Sequence, residues 1–172
     1  MNRIISDYKS RYVVLASRPG NGKTSTILEN IREDLLNDKK VLFFSLENGK
    51  DNIIERGNFS SLDNLVILDN PVADISDIEN NITKYNPDVV YIDYIDLLPN
   101  VDGANELLHQ LSIDYNIPVV VAHNLSAEND NYDLSTITVK DFSIINDSVD
   151  KVDNYYILFA SDKQDLNIRK LK

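Results

Sequence analysis

Lys23 and Thr24 end a glycine-rich segment whose residue types suit phosphate binding. The segment reads Ala-Ser-Arg-Pro-Gly-Asn-Gly-Lys-Thr over residues 16–24, follows an apolar run and precedes a helix-patterned stretch. Gly20 and Gly22 allow backbone conformations that direct successive N–H groups at an anion. Lys23 would supply positive charge to the β- and γ-phosphates, and the Thr24 hydroxyl is the expected Mg²⁺ ligand. The pattern predicts a P-loop, the Walker A motif, that binds ATP and Mg²⁺.

The whole loop and the helix N-terminus after it are expected to contact the nucleotide, because backbone N–H groups and the helix dipole attract phosphate there. The predicted nucleotide-binding residues are Ser17, Arg18, Pro19, Gly20, Asn21, Gly22, Lys23, Thr24 and Ser25. One departure is visible, since the strict pattern places glycine at the position of Ser17. A merely structural strand-to-helix turn is the alternative interpretation. The coincidence of loop, lysine and threonine with the right flanks favours nucleotide binding.

Three polar residues at predicted strand ends complete a site for nucleotide hydrolysis. Asp93 ends an apolar run at residues 89–93, the form of a Walker B strand whose carboxylate holds Mg²⁺. Glu47 ends a second run, where a carboxylate could orient or deprotonate the attacking water. Asn124 follows a third run and could contact the γ-phosphate through its amide. The predicted catalytic residues are Glu47, Lys23 and Asn124, and the predicted metal ligands are Thr24 and Asp93.

Short β-branched runs alternate with helix-period segments along the chain. Strands are predicted at residues 12–16, 41–46, 65–68, 89–92, 117–122, 155–160 and 166–171, and helices around apolar repeats within 27–35, 75–85 and 104–111. The central strands are continuously apolar, as expected when helices cover both faces of a sheet. The predicted fold class is α/β, a mostly parallel twisted sheet with helices on both faces and ligands at the carboxyl ends of the strands. Residues 124–141 are polar and turn-rich, which indicates a long loop or irregular hairpin beside the site.

Four segments, taken in order, resemble the motifs of the RecA-like C-terminal ATPase domain of DnaB-type replicative helicases. They are the loop at residues 16–24, Val-Leu-Phe-Phe-Ser-Leu-Glu at 41–47, Tyr-Ile-Asp-Tyr-Ile-Asp-Leu at 91–97 and Ile-Pro-Val-Val-Val-Ala at 117–122. The resemblance covers nearly the whole chain. It implies a single RecA-like P-loop ATPase domain over residues 1–172.

The resemblance also implies a role for each matching residue. Lys23 and Thr24 would bind phosphate and Mg²⁺, and Glu47 would be the catalytic base. Asp93 would be the Walker B acid, and Asn124 occupies the position of the family's sensor glutamine. Residues 148–153 are similar to the family's acidic stretch before its penultimate strand.

The chain departs from the family in the elements that close its rings. Family members form six-membered rings in which a neighbouring subunit inserts an arginine finger from a Lys-x-Arg element. The corresponding place here is Lys170-Leu171-Lys172, and lysine does not reproduce the planar, bidentate contact of arginine. The first predicted strand begins at residue 12, so the family's N-terminal domain and linker helix are also expected to be missing. An oligomer is expected to lack these means of ring closure.

The charge pattern opposes strong binding of single-stranded DNA. The formal net charge is -11 at pH 7, and no Lys or Arg lies between Lys84 and Lys140, where the family has its DNA-facing loops. Asp96 also stands where the family usually has Gln. Because affinity for DNA depends on neutralising phosphates with Lys and Arg, we expect binding of single-stranded DNA to be weak or doubtful.

Composition excludes several other classes of protein. The chain has 172 residues and no Cys, so it fits one domain and offers neither a disulfide framework nor a thiolate metal site. Its two histidines, His109 and His123, have no third ligand at metal-site spacing, although His123 adjoins Asn124 and could touch a ligand. No apolar run approaches the roughly 20 residues that span a bilayer, and the N-terminus does not resemble a signal peptide. The expected location is the cytoplasm.

Three functional classes remain at the level of sequence. The first is a motor ATPase that translocates on DNA, and the second is a nucleotide-binding accessory protein that binds a replication protein without moving DNA. The third, a small-molecule kinase, is disfavoured because phosphoryl transfer between small molecules usually needs arginines on a closing lid. Since Lys23, Thr24, Glu47 and Asp93 are all present, we predict an ATP-binding, slow or conditional Mg²⁺-dependent ATPase with a helicase-like core.

Overall fold

The computed structural model of the chain describes residues 11–70, 74–98, 103–125, 133, 135–136, 138, 152–160 and 166–171. Its strands are β1 (Tyr12–Ser17), β2 (Val41–Ser45), β3 (Leu65–Leu68), β4 (Val89–Asp93), β5 (Val119–Asn124), β6 (Asn154–Ala160) and β7 (Leu166–Lys170). Its helices are α1 (Lys23–Leu36), α2 (Lys50–Gly57), α3 (Ile75–Tyr85) and α4 (Ala104–Asp114), with a 3₁₀ turn at Ile95–Leu97. No helix in the described part of the chain has the length and hydropathy that a membrane crossing requires.

The described strands form one sheet in the order β3-β2-β4-β5-β1-β6-β7. Neighbouring strands from β3 to β6 run parallel, and β7 pairs antiparallel with β6. Ser45 lies opposite Asp93, and Ser17 lies opposite Asn124, so four strands end nearly level at one edge. The predicted α/β class and mostly parallel sheet are confirmed. In such a sheet, ligands bind at the carboxyl ends of the strands.

Helices cover both faces of the sheet, as the continuously apolar strands predict. On one face, Ile27 and Ile31 of α1 and Ile53 of α2 pack with alternate residues of the strands. On the other face, Ile78 of α3 and Leu108 of α4 pack against the intervening residues. Strands enclosed in this way have no solvent-exposed face, which explains their β-branched and aromatic composition.

Each predicted strand corresponds to an observed strand, with shifts of one or two residues at the ends. The predicted start at residue 117 is wrong, because the Ile117 N–H bonds the Ser112 carbonyl in the turn after α4 and Pro118 has no N–H to donate. Helix α2 had no counterpart among the predicted helices. It has eight residues, of which Ile53 and Ile54 are the apolar ones, so it shows no helical repeat of apolar positions.

Several predictions fall mainly on residues that the structure does not describe. They concern the polar loop at residues 124–141, the acidic stretch at 148–153, and Lys172 at the position assigned to the arginine finger.

Candidate functional site

A pocket of about 420 Å³ lies at the carboxyl edge of the sheet, where β1, β2, β4 and β5 end. Its lining combines the glycine-rich loop and the start of α1 with residues that follow the neighbouring strands. The lining residues are Pro19, Gly20, Gly22, Lys23, Thr24, Ser25, Glu47, Asn48, Arg56, Tyr94 and Asn124. The parallel sheet therefore brings residues from distant parts of the sequence into one cavity.

The loop between β1 and α1 has the backbone conformation that its glycines predict. Gly20 and Gly22 have φ angles of 80° and 82°, in the left-handed region that favours glycine. A Cβ on Gly20 would meet no atom within 4 Å, so the constraint at this position is backbone conformation rather than space. Gly22 is the N-cap residue of α1 and has no side chain to cap the N–H groups of the first turn. Those groups and the helix dipole make the loop a suitable site for an anion.

Lys23 is buried at the base of the pocket and is anchored to the end of β1. Its Nζ donates to the Ser17 hydroxyl at 3.0 Å, to the Ser17 carbonyl at 3.3 Å and to the Arg18 carbonyl at 3.4 Å. Burial lowers the pKa of Lys23, and nearby carboxylates oppose that shift; they belong to Asp93, Glu47 and Asp96. A bound polyphosphate would add negative charge beside this ammonium group and favour its charged form.

The serine that replaces the expected glycine therefore has a structural role. The Ser17 hydroxyl donates to the Arg18 carbonyl at 2.8 Å while it accepts from Lys23. Ser17 and Arg18 lie behind the pocket rather than on its lining, and the Asn21 N–H closes the turn on the Arg18 carbonyl at 3.3 Å. These three predicted binding residues hold the loop and Lys23 in place, whereas the other predicted loop residues line the cavity.

Thr24 lines the pocket and contacts Asp93, which is buried and is not part of the pocket lining. Thr24 Oγ1 donates to Asp93 Oδ2 at 2.7 Å, which joins the first turn of α1 to the end of β4. Asp93 is 1% exposed, and its Oδ1 has no hydrogen-bond partner among the described residues. Burial raises the pKa of Asp93 and the charge of Glu47 adds to this, while the Thr24 hydrogen bond and the nearby cations of Lys23 and Arg56 act in the opposite direction. A divalent cation at this place would stabilise the ionised carboxylate.

The pair of oxygens fits Mg²⁺ on two grounds. Octahedral ligands at about 2.1 Å from Mg²⁺ lie about 3 Å apart, close to the observed separation of Thr24 Oγ1 and Asp93 Oδ2. The buried Oδ1 of Asp93 is a further oxygen that a cation or its water would satisfy. Within the described residues no cluster of three or more Asp, Glu, His or Cys could hold a metal by itself. Mg²⁺ in phosphate sites typically takes one or two protein oxygens and completes its shell with water and phosphate.

Glu47 follows β2 and lines the pocket with an exposed side chain. The segment that carries it is tied down on both sides. The Leu46 N–H bonds the Asp93 carbonyl at 2.9 Å, and the Ser45 hydroxyl donates to the Asn48 carbonyl at 2.6 Å. Glu47 therefore lies on a fixed turn beside Asp93 and remains accessible to water, as a residue that activates water requires.

Asn124 lies at the end of β5 and contacts residues that follow β4. Its N–H donates to Asp96 Oδ2 at 2.9 Å. Burial raises the pKa of Tyr94, and the Asn124 side chain acts in the opposite direction. His123 Nδ1 lies 2.8 Å from the other Asp96 oxygen. Burial alone would raise the pKa of Asp96, but the hydrogen bonds from His123 and Asn124 and the charge of a protonated His123 hold it below its ordinary value. His123 is thus directed at Asp96 and is absent from the pocket lining.

Arg56 is one of three pocket-lining residues that sequence reasoning missed, together with Asn48 and Tyr94. Its position in the sequence suggests only a solvated basic surface, and the helix that carries it shows no helical repeat. Helix α2 brings Arg56 to the lining of the pocket, and the charge of Arg56 helps to lower the pKa of Asp93.

Two solved structures share this architecture. One, described as an ATPase domain, matches with a TM-score of 0.78 at 19% identity, over 96% of this chain and 78% of that one. A DnaB-like replicative helicase, described with its interactions with primase, matches with a TM-score of 0.73 at 18% identity, over 95% of this chain and 56% of that one. The chain has the RecA-like fold of helicase ATPase domains. This likeness confirms the fold that the sequence motifs imply, and the chain spans little more than half of the second protein's length.

The comparisons of sequence give no further relative. No protein-family model matches the chain, and no curated protein matches it. The likeness to the two ATPase structures therefore rests on the arrangement of strands and helices.

Proposed function

We propose that this chain is a Mg²⁺-dependent ATPase with a replicative-helicase-like core that acts in DNA replication and turns over slowly or conditionally. The observation that supports this most strongly is the 2.7 Å hydrogen bond from Thr24, which lines the pocket with the glycine-rich loop, to the buried carboxylate of Asp93. The pair offers a hydroxyl and a carboxylate, the kinds of oxygen ligand that a magnesium ion next to a triphosphate takes. Lys23 on the same lining supplies the charge that the phosphates need.

Each residue of the pocket has a role in this proposal. The loop N–H groups and Lys23 bind the phosphates, and Thr24 and Asp93 hold Mg²⁺, which would supply charge neutralisation at the β- and γ-phosphate oxygens. Glu47 orients the attacking water or accepts its proton, and Asn124 contacts the γ-phosphate. Arg56 lines the same pocket and offers an in-chain positive charge beside these groups.

A second candidate is a nucleotide-binding accessory protein of a replication complex that does not translocate on DNA. The charge distribution favours it, because the net charge is -11 and no Lys or Arg occurs between Lys84 and Lys140. An acidic surface cannot neutralise a nucleic-acid backbone, but it suits a protein partner with basic residues. In this case nucleotide binding or hydrolysis would control a protein interaction, within an oligomer or with a separate replication protein.

The experiment that tests the proposal measures Mg·ATP binding and steady-state ATP hydrolysis by the purified chain, with and without single-stranded DNA at low salt. Lys23→Ala is the blank, and Lys40→Ala is the matched control because Lys40 is exposed and precedes β2 at the opposite end of that strand. Binding that is lost in Lys23→Ala and kept in Lys40→Ala supports the assigned site. Equal binding by both variants would overturn it.

The DNA arm separates the two candidates. Hydrolysis that single-stranded DNA stimulates would favour a motor despite the acidic surface. Hydrolysis that is absent or indifferent to DNA, together with normal nucleotide binding, would favour the accessory protein.

A further inference from the structure

The end of β5 is tied to the segment after β4 by one carboxylate. Asp96, in the 3₁₀ turn, uses Oδ1 to contact His123 Nδ1 at 2.8 Å and Oδ2 to accept the Asn124 N–H at 2.9 Å. The His123 side chain is 6% exposed and that of Asp96 is 27% exposed, so water competes little for the first contact. Each carboxylate oxygen of Asp96 therefore contacts one of two successive residues of β5.

Tyr94 lies beside the same residue. Tyr94 and Asn124 both line the nucleotide pocket; burial raises the pKa of Tyr94, and the Asn124 side chain acts in the opposite direction. Asn124 is thus fixed through its backbone by Asp96, and its amide lies near the Tyr94 hydroxyl. An asparagine amide has one carbonyl and two N–H donors, so this neighbour leaves hydrogen-bonding capacity for a ligand.

The residues that hold Asn124 follow directly after Asp93 along the chain. Tyr94 directly follows β4, and Asp96 is the central residue of the 3₁₀ turn that comes next. The backbone that positions the Asp93 carboxylate therefore also sets the positions of Tyr94 and Asp96. The group is named the β5 clamp and consists of Tyr94, Asp96 and His123. The strands β4 and β5 are neighbours in the sheet, and the β5 clamp links their carboxyl ends.

We propose that the β5 clamp consists of positioning residues that fix the Asn124 amide for contact with the terminal phosphate of a bound nucleoside triphosphate. This inference rests on the proposed function of the pocket. It assigns the discrimination between triphosphate and diphosphate to the clamp, because a diphosphate has no terminal group at that position. Preorganisation matters here, since a mobile asparagine would lose side-chain entropy on contact with the phosphate.

A purely structural role for Asp96 predicts a different result. If the carboxylate only stabilised the fold, its removal would lower the melting temperature and would reduce the affinity for every nucleotide by a similar factor. A positioning role predicts a selective loss of affinity for the triphosphate. The ratio of the two dissociation constants therefore separates the two roles.

The test measures the dissociation constants of Mg·ADP and of a Mg-bound non-hydrolysable ATP analogue by calorimetry for the wild type and four variants. Asp96→Ala removes both contacts, and Tyr94→Phe removes the hydroxyl while it keeps the ring. Asp96→Asn is the conservative variant, because an amide carbonyl can accept the Asn124 N–H and its NH₂ group can donate to neutral His123. Asp114→Ala is the matched control, since Asp114 is exposed at the end of α4 and outside the pocket lining.

We expect Asp96→Ala and Tyr94→Phe to reduce the affinity for the ATP analogue by about tenfold and to leave the affinity for ADP unchanged. A loss of about tenfold corresponds to one hydrogen bond to a charged group, here the bond from the Asn124 amide to the terminal phosphate. Asp96→Asn should restore most of the difference, and Asp114→Ala should match the wild type. Equal losses for both nucleotides, or no loss in either variant, would overturn the inference. Should Asp96→Ala melt below the assay temperature, Tyr94→Phe decides the result alone. Failure of the wild type to bind either nucleotide would instead refute the proposed function, and this inference with it.

Discussion

Thr24 Oγ1 donates a 2.7 Å hydrogen bond to Asp93 Oδ2, across 69 positions of sequence. The bond joins the helix that follows the glycine-rich loop to the strand that ends in a buried carboxylate. Because both ends belong to regular elements packed in the core, neither oxygen can move far without shifting α1 or β4. The candidate metal position is therefore built before any ligand arrives, which lowers the cost of ordering it.

This relationship predicts that Thr24→Val removes metal-dependent nucleotide binding. Valine keeps the shape of threonine but has no hydroxyl, so the metal would lose one ligand and the Asp93 carboxylate one hydrogen bond. Affinity for Mg·ATP should fall by at least about tenfold, while nucleotide binding in EDTA should stay at the wild-type level. Thr83→Val is the control, since Thr83 is on α3 and bonds Tyr115 far from the pocket lining. A loss of equal size in EDTA would refute the assignment of Thr24 as a metal ligand.

A second prediction concerns Glu47→Gln. The substitution keeps the size and the hydrogen-bonding reach of the side chain but removes the base, so Mg·ATP should bind normally while hydrolysis falls by about 10² to 10⁴-fold. Steady-state phosphate release and equilibrium binding, measured on the same preparation, check both parts. Glu55→Gln on the exposed side of α2 should turn over like the wild type. Equal turnover in the wild type and Glu47→Gln would show that Glu47 is not the base.

Arg56 carries the third prediction. Since Arg56 lines the pocket and its charge acts on Asp93, Arg56→Ala should reduce hydrolysis by at least about tenfold. Arg56→Lys should recover only part of this loss, because lysine keeps the charge without the planar fork of the guanidinium. Arg11→Ala, at the amino end of β1, serves as the control. Turnover of Arg56→Ala at the wild-type rate would place Arg56 among the surface charges.

The pocket was predictable from sequence where local pattern and burial decide the structure. The positive φ angles of Gly20 and Gly22 follow from residue type, and the position of Asp93 follows from the apolar run that it ends. The location of the site at the carboxyl edge of the sheet then follows, because strands that alternate with helices form a parallel sheet and parallel strands end at the same edge.

Other parts of the site depend on contacts that no local pattern encodes. The bond between Asp96 and His123 depends on a 3₁₀ turn after β4 that brings the carboxylate against the next strand in the sheet. Arg56 depends on a short helix whose apolar positions are adjacent, so its register on the sheet is a tertiary effect. Ser17 looked like a defect in the motif, and its role as an anchor for Lys23 becomes visible only when both side chains are placed.

The last prediction tests a helix cap rather than the pocket. Asp74 caps α3 by accepting the Ser76 N–H at 2.8 Å and the Asp77 N–H at 3.3 Å. The Ser76 hydroxyl and these N–H groups bond the ionised carboxylate and hold the pKa of Asp74 below its ordinary value of 3.8, against the raising effect of desolvation. An acid with a lowered pKa in the folded state contributes stability above its ordinary pKa, and this is lost as the pH falls through the folded value.

Asp74→Ala should therefore lower the free energy of unfolding at pH 7 and pH 5, and the difference from the wild type should shrink at pH 3 and below. Urea unfolding followed by circular dichroism at each pH measures this difference. Asp74→Asn is the matched comparison, because asparagine accepts the same N–H bonds without ionising; its loss of stability relative to the wild type should change with pH by the same amount as that of alanine but be smaller at every pH. If alanine costs the same free energy at every pH, the cap does not depend on the charge of the carboxylate, and the lowered pKa of Asp74 has another origin.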